Sequence, residues 1–323
     1  MHAFFTSACG PRAALLRTPL LRISLTLAAL LAGCQDAPPS PVAPSLETAM
    51  GAATPVSPGK IAYAAGRNNS YEIYVVDLAT GRSRRLTQTK GTARDPAWSL
   101  DGRIAFTSRS GGNSDVYVIP ADGGAATNVT GDPGSDEQPA WTPDGTKLAI
   151  ASNRYGSNGR DIYIINSDGK GTATRLTTYS GDEQDPAWSP DATKIAFRAN
   201  GDVPGGEIYV QNTDGTGTAT RITVGGGETP VWSPDGMRIA FHRVESGRSQ
   251  IYVTKADGTE SPIKLSDGLG YDRAPAWTWD GTKIAFESRR NGNTDIYVMN
   301  ADGTDVTRVT RSQNNDMTPT WKP

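Results

Sequence analysis

Histidine and cysteine are nearly absent from this chain of 323 residues, which contains two of each. Cys9 and Cys34 both precede the repeated part of the sequence, so that part has neither a disulfide framework nor a thiol nucleophile. His242 is the one histidine within the repeats. Aromatic residues make up only 7%, against 36 glycines and 22 prolines. This composition predicts many short strands separated by turns.

Two catalytic motifs and one charge pattern are also missing. The sequence contains neither the Gly-x-Ser-x-Gly elbow of serine hydrolases nor the Gly-x-x-x-x-Gly-Lys loop that cradles phosphates. Acidic residues number 34 and basic residues 32, so no basic footprint for nucleic acid exists. These absences argue against the corresponding classes of enzyme and of nucleic-acid-binding protein.

The N-terminus has the pattern of an export signal. Arg12, Arg17 and Arg22 precede an apolar run from 23 to 33, which is too short to span a membrane. The run ends in Leu-Ala-Gly followed by Cys34, which resembles a bacterial lipobox. The resemblance implies that the signal peptide comprises residues 1–33, that Cys34 carries lipid, and that the protein is anchored to the outer membrane. An ordinary signal peptide with an incidental cysteine is the alternative.

Residues 34–59 are rich in proline, alanine and serine and have no apolar period. Such a composition is typical of a linker, here between the lipidated N-terminus and a folded domain. Removal of residues 1–33 deletes three arginines and no acid, which moves the net charge from −2 to −5.

From residue 60 onward the chain repeats itself, with tryptophans spaced by 43, 47, 44, 45 and 44 residues. Each repeat contains Pro-x-Trp, then an apolar triplet such as Ile-Ala-Phe, then a strand centred on tyrosine, then a short fourth segment. The Pro-x-Trp marks are Pro96/Trp98, Pro139/Trp141, Pro186/Trp188, Pro230/Trp232, Pro275/Trp277 and Pro319/Trp321.

Four strands in a repeat of this length are typical of a propeller blade. Both faces of the middle strands are apolar, so each sheet needs a neighbour on both sides, which a ring supplies. The chain enters at Lys60 with a second strand and ends at Trp321 with an unpaired first strand. We therefore predict an all-β, six-bladed β-propeller of four-stranded antiparallel blades over residues 60–323, closed by the C-terminal strand pairing into the first blade.

The repeat motifs Pro-Ala-Trp-Ser-Pro-Asp, Lys-Ile-Ala-Phe, Asp-Ile-Tyr-Val and Ala-Asp-Gly-Thr resemble those of the TolB family propeller over residues 60–323. The resemblance implies a six-bladed propeller that acts as a periplasmic platform for protein interactions in the Tol-Pal envelope system. Two features depart from the family pattern: the α/β domain that precedes the propeller in TolB is missing, and the N-terminus has the signal of a lipoprotein.

Acidic residues crowd three consecutive loops on the face opposite the tight turns. They are Asp132, Asp136, Glu137, Asp182, Glu183 and Glu228. We interpret them as a docking surface for a basic segment of a partner; a calcium site and a solvated acidic rim are the alternatives. Recurring arginines after the second strands, among them Arg154 and Arg289, are expected to form ion pairs between blades with acids such as Asp136 and Asp272.

Three aromatic residues complete the candidate partner-binding set. Tyr155 and Tyr271 lie on loops of the same face, and Trp279 replaces the usual turn proline, so we expect it to be exposed. The other tryptophans are expected to fill the gaps between blades.

The sequence therefore predicts a non-enzymatic, lipid-anchored, monomeric interaction module of the bacterial envelope, with no catalytic residue, no cofactor, and an envelope protein as its partner. A metal-dependent hydrolase or lactonase and a glycan-binding propeller are the alternatives.

Overall fold

The computed structural model describes residues 59–323, except 90, 110–111, 155, 157–158, 180 and 202–204. The signal peptide, Cys34 and nearly all of the linker lie outside these residues, as does Tyr155. The described residues form six four-stranded antiparallel sheets, which confirms the predicted architecture. They contain no helix, and hence none that is long and apolar enough to cross a bilayer.

Each sheet is one blade, with its strands ordered from the channel outward. The inner strands of blades 2 to 6, in that order, are β4 (Thr92–Trp98), β8 (Asp136–Trp141), β12 (Glu183–Trp188), β16 (Glu228–Trp232) and β20 (Asp272–Trp277). The inner strand of blade 1 is β24 (Asn315–Trp321), the last strand of the chain. The second strands, from blade 1 to blade 6, are β1 (Lys60–Arg67), β5 (Arg103–Arg109), β9 (Lys147–Ser152), β13 (Lys194–Ala199), β17 (Arg238–Glu245) and β21 (Lys283–Asn291).

The outer half of each blade consists of a long third strand and a short fourth one. The third strands are β2 (Ser70–Asp77), β6 (Ser114–Pro120), β10 (Asp161–Asn166), β14 (Glu207–Asn212), β18 (Arg248–Lys255) and β22 (Asn293–Asn300). The fourth strands are β3 (Arg82–Arg85), β7 (Thr127–Asn128), β11 (Thr174–Arg175), β15 (Thr220–Arg221), β19 (Ile263–Lys264) and β23 (Thr307–Arg308).

The two ends of the propeller meet in blade 1. Its sheet has the order β24-β1-β2-β3, so the last strand of the chain pairs with the first. Ile61 lies opposite Trp321 and Ala65 opposite Asp316 in this pairing. The antiparallel ladder removes two open edges, one at each end of the repeat array, and it closes the ring.

The hydrophobic core lies between blades rather than inside any one of them. Each of six buried clusters combines side chains of two neighbouring blades, and together the clusters cover all six interfaces. Between blades 1 and 2, for example, Ile73 packs with Ile104 and Phe106, and all three are almost completely buried. A blade alone would leave both of its apolar faces in water.

Two aromatic devices position the blades. Across the second and third strands, aromatic pairs such as Phe106 and Tyr117 stack with ring centroids 5.8 Å apart. The inner-strand tryptophans reach the previous blade, as when Trp141 Nε1 donates to the carbonyl of Ala97 at 2.9 Å. Four of the six tryptophans bond to an alanine carbonyl in this way. Among the described residues, Trp98 and Trp277 have no such partner.

A hydroxyl fastens each short fourth strand. Thr87 Oγ1 accepts from the backbone N–H of Ile73 at 2.9 Å and donates to Glu72. Equivalent bonds to the third strand are made by Thr130, Thr177, Thr223, Ser266 and Thr310. The repeated hydroxyl compensates for ladders that consist of only two paired residues in five of the blades.

Deletion of Asn315–Pro323 removes β24 and is expected to abolish cooperative thermal unfolding. Blade 1 would then expose the edge of β1 and the apolar side chains that β24 covers. Circular dichroism and calorimetry measure the transition. Removal of Pro323 alone is the matched control and should leave Tm within a few degrees of the wild-type value. An unchanged transition in the longer deletion would contradict closure by β24.

Candidate functional site: the central channel and its loop face

The ring has two distinct faces. The turn face carries the tight turns that join inner strands to second strands. The loop face carries the hairpins between second and third strands and the connections that lead from each fourth strand to the next inner strand. Of the candidate partner-binding residues within the described part of the chain, all except Trp279 belong to the loop face.

A β-bulge interrupts the inner strand of every blade at the residue before the repeated proline. This residue has a positive φ in all six blades, between 48° and 56°. The six residues are Asp95, Gln138, Asp185, Thr229, Ala274 and Thr318. Together with the six prolines that follow them, they line a cavity of about 150 Å³ in the central channel. The bulge therefore presents one variable side chain per blade to the channel.

Hydrogen bonds link these bulges from blade to blade. The Asp185 N–H donates to Gln138 Oε1 at 3.1 Å, and the Asp185 carboxylate accepts from the Gln138 side chain and from the Thr229 N–H. The Thr318 N–H donates to Glu287 Oε2 at 2.9 Å in the same manner. The bulge turns its N–H toward the preceding blade, so a polar side chain there satisfies a donor that the strand ladder cannot.

Three carboxyl groups of the channel are poorly solvated. Burial raises the pKa of Asp185 to about 6, although the nearby His242 opposes the shift. Burial likewise raises the pKa of Asp95 and of Glu287, with Arg94 opposing at Asp95 and the Thr318 N–H opposing at Glu287. The channel wall is therefore a place where added negative charge is unfavourable.

Blade 5 places a hydroxyl, an imidazole and a carboxylate in a row beside the channel. Thr229 Oγ1 lies 2.8 Å from His242 Nδ1, and Glu228 Oε2 lies 3.5 Å from His242 Nε2. The hydrogen bond with His242 lowers the pKa of Glu228. His242 is only 4% exposed, so both ring nitrogens face protein groups. The row can fix the orientation of Glu228, which remains about one-third exposed.

The acids predicted from sequence divide into buried and exposed members. Asp136 is fully buried and bonded to Arg154 at 2.9 Å within blade 3. Glu137 and Asp182 remain partly exposed, and Arg160 lies between them at 3.2 Å and 3.8 Å. Asp132 is half-buried and caps its own loop by accepting from the Gly134 N–H. Arg160 thus compensates much of the charge of this loop cluster.

The prediction of ion pairs between blades is wrong, because the observed pairs lie within blades. Arg154 and Asp136 belong to the same blade, and Asp272 pairs with Arg290 rather than with Arg289. The strand register explains the difference, because the arginine follows a second strand whose neighbour in the ladder is the inner strand of its own blade.

Glu183 is buried against another carboxyl group. Glu183 is fully buried, and the Thr177 hydroxyl donates to its Oε2 at 3.2 Å. The neighbouring carboxylate of Asp161 forms an ion pair with Arg175. Burial and the Asp161 carboxylate raise the pKa of Glu183 to about 8. The buried site therefore favours the protonated form of Glu183.

Four exposed apolar side chains of the loop face lie on the blade 5 hairpin or on the connections that enter and leave blade 5, whereas Tyr179, 40% exposed, lies on the connection from blade 3 to blade 4. Val224 and Leu269 are each 70% exposed, Val244 is 54% exposed and Tyr271 is 44% exposed. Sequence reasoning identified only Tyr271, because single aliphatic residues in loops carry no repeat signal. Comparison of equivalent loops offers a signal, since the other loops carry Gly, Pro or polar residues at nearly all of these places. Trp279 is 57% exposed, as predicted, but it lies on the turn face.

The described residues hold no group of three or more histidine, cysteine, aspartate or glutamate side chains that could bind a metal ion.

The closed ring of six four-stranded sheets around a proline-lined channel defines a six-bladed β-propeller. The chain belongs to the TolB beta propeller domain family, whose model matches residues 45–159, 132–229 and 224–323.

Solved structures share the fold at low sequence identity. TolB from Acinetobacter baumannii is 21% identical, with a TM-score of 0.70 over 82% of this chain and 67% of that one. A protein assigned as TolB from Agrobacterium tumefaciens is 23% identical, with a TM-score of 0.65 over 78% of this chain and 89% of that one. Hydrazine synthase from Kuenenia stuttgartiensis is 18% identical, with a TM-score of 0.69 over 82% of this chain and 46% of that one. Among curated proteins, none matches the sequence.

Replacement Glu183→Gln should change how stability depends on pH. In the unfolded chain this carboxyl titrates near pH 4.3, whereas in the folded protein its pKa is about 8. Between these two pKa values the folded protein binds a proton that the unfolded chain has released, so the free energy of unfolding falls as pH rises. The fall ends above pH 8, where Glu183 is ionised in both states. The variant should therefore gain on the wild type as pH rises, by at least about 1 kcal/mol at high pH.

Urea unfolding from pH 5 to pH 9 measures this difference. Glu260→Gln, at an exposed acid paired with Lys255, is the control and should shift stability by less than about 0.5 kcal/mol at every pH. A pH-independent difference between Glu183→Gln and the wild type would contradict a protonated Glu183.

Proposed function

We propose that this protein is a non-enzymatic interaction module of the bacterial envelope, held to the outer membrane by lipid on Cys34. Its loop face binds another envelope protein. The TolB-like propeller supports the interaction role, and the family resemblance supports a periplasmic setting.

The apolar cluster around blade 5 is the observation that carries the proposal. Val224, Val244, Leu269 and Tyr271 are exposed on the blade 5 hairpin and on the connections that enter and leave this blade. Several exposed apolar side chains on neighbouring loops are typical of interaction sites. We call these four residues the blade 5 cluster.

Hydrogen bonds hold the loops of the blade 5 cluster in place from both sides. Arg243 Nε donates to the Gly226 carbonyl at 3.0 Å, which fixes the loop that carries Val224. Arg248 Nη1 donates to the Gly268 carbonyl at 2.9 Å, which fixes the loop that carries Leu269. A surface that is ordered before binding loses less conformational entropy on association.

Polar groups next to the blade 5 cluster provide specificity. Glu228 lies at the channel mouth, and the partly exposed acids Asp132, Glu137 and Asp182 extend the acidic side of the same face. A partner segment that combines apolar anchors with a basic residue would match both features. A partner cannot reach Asp136 and Glu183, because both side chains are fully buried. Their role is to support the loops from within.

A photo-crosslinking residue at position 269 should capture a partner in intact envelopes. Replacement of Leu269 places the probe at an exposed apolar position of the loop face. Because anchor residues dominate interface energies, the yield of adduct should fall at least tenfold when Val224→Ser and Tyr271→Ala are added. Quantitative immunoblotting and mass spectrometry measure the adduct.

The same probe at position 263 is the matched control. Ile263 is 61% exposed but lies on the short outer strand β19, away from the loop face. Equal adducts at 263 and 269, or an adduct at 269 that is insensitive to the added substitutions, would refute a partner site at the blade 5 cluster.

Mass spectrometry of the mature protein should find an acylated Cys34 at its N-terminus. Cys34→Ser removes the thiol that would carry the lipid, so the variant should leave the membrane fraction. Western blots of fractionated envelopes compare the two proteins. An unmodified Cys34 in the purified wild type would refute the anchor.

A further inference from the structure

The described chain begins on the turn face, at the seam in blade 1 where the first and last strands pair. The Gly59 carbonyl accepts from the Leu78 N–H at 3.0 Å, and the Lys322 N–H donates to the Lys60 carbonyl at 2.8 Å. Gly59 lies against the ring of Trp321, where a Cβ would come within 3.4 Å of the indole. The chain that precedes Gly59 therefore joins the propeller on the turn face.

The tight turns of this face depart from the repeat sequence in the two blades on either side of that seam. The turns of blades 3, 4 and 5 carry proline at their second position, whereas blades 2 and 6, the neighbours of blade 1, carry Leu100 and Trp279. Leu100 is 52% exposed and Trp279 is 57% exposed. Met237, on the blade 5 turn, is 69% exposed. We call these three residues the turn-face tips.

Charged groups of both signs surround the turn-face tips, because the turns between third and fourth strands add acids such as Asp122, Asp168 and Asp257 to this face. Each second strand begins with a basic residue on this face: Lys60, Arg103, Lys147, Lys194, Arg238 and Lys283. The aspartates of the turns are held by donors of their own turns; the Thr142 hydroxyl and the Thr146 N–H, for instance, lower the pKa of Asp144 to about 2. Tryptophan and long basic side chains are the residues that favour a membrane interface.

We propose that the turn face lies on the phospholipid surface, with Trp279, Leu100 and Met237 entering the headgroup region. The loop face then points away from the membrane toward its partner. This inference rests on the lipid anchor of the proposed function. The 24 residues from 35 to 58 could span at most about 85 Å, so the anchor keeps the turn face at high local concentration near the bilayer. Weak insertion of three side chains is then sufficient.

Fluorescence quenching by brominated lipid tests the orientation. The processed protein, purified from envelopes, is reconstituted into phosphatidylethanolamine and phosphatidylglycerol vesicles with or without brominated acyl chains. Trp279 is the exposed tryptophan of the described residues, so bromine should quench the wild type, and Trp279→Phe should lose most of that quenching. Leu100→Ser with Met237→Ser should reduce quenching by withdrawing the tips.

The matched control carries Val224→Ser and Leu269→Ser, two equally exposed positions on the loop face, and it should be quenched like the wild type. Thermal unfolding confirms that each variant is folded. Wild-type emission that is equal in brominated and plain vesicles would overturn the inference, as would quenching that survives Trp279→Phe or that the loop-face control abolishes.

Vesicle flotation separates this failure from failure of the anchor. A protein that floats without quenching is anchored but differently oriented, and the proposed function stands. A protein that neither floats nor carries acyl mass on Cys34 would overturn the anchor and the orientation together.

Discussion

Each sheet of this protein has two apolar faces, and their burial is the constraint on which the rest of the structure depends. A single blade leaves residues such as Ile73 and Phe106 half covered, and only a neighbour on each side completes the burial. Six blades satisfy that need without a terminal blade when the ring closes. The pairing of β24 with β1 is therefore as important as any blade interface, because it turns a stack into a ring.

The same closure creates the channel and brings chemically different side chains together. Every blade contributes one bulge residue at equivalent geometry, so the backbone is repeated while the side chains are not. Asp185, Gln138 and Thr229 form a hydrogen-bonded relay across three blades. His242 and Glu228 continue the polar wall beside it. A symmetric frame thus holds an asymmetric set of groups.

The two faces differ in what they expose. The loop face exposes apolar residues on the loops of blade 5 and partly exposed carboxylates on the loops of blades 3 to 5. On the turn face, Leu100 and Trp279 flank the seam where the propeller begins and ends. Both patches arise where the repeat departs from its own pattern. A ring whose faces serve a partner and a membrane separately would allow both contacts at once, because neither surface overlaps the other.

The sequence by itself determined the blade number, the four-strand blade and closure by the last strand, because repeat spacing and apolar alternation record local structure and burial directly. It also indicated that Trp279 is exposed. Only the tertiary structure decided which acids are accessible: Asp136 and Glu183 proved buried, and arginines paired within blades. Loop packing also decided which loop side chains are exposed, as at Val224 and Leu269. The repeat pattern does not record that exposure, since it depends on how each loop packs against its own blade and the next.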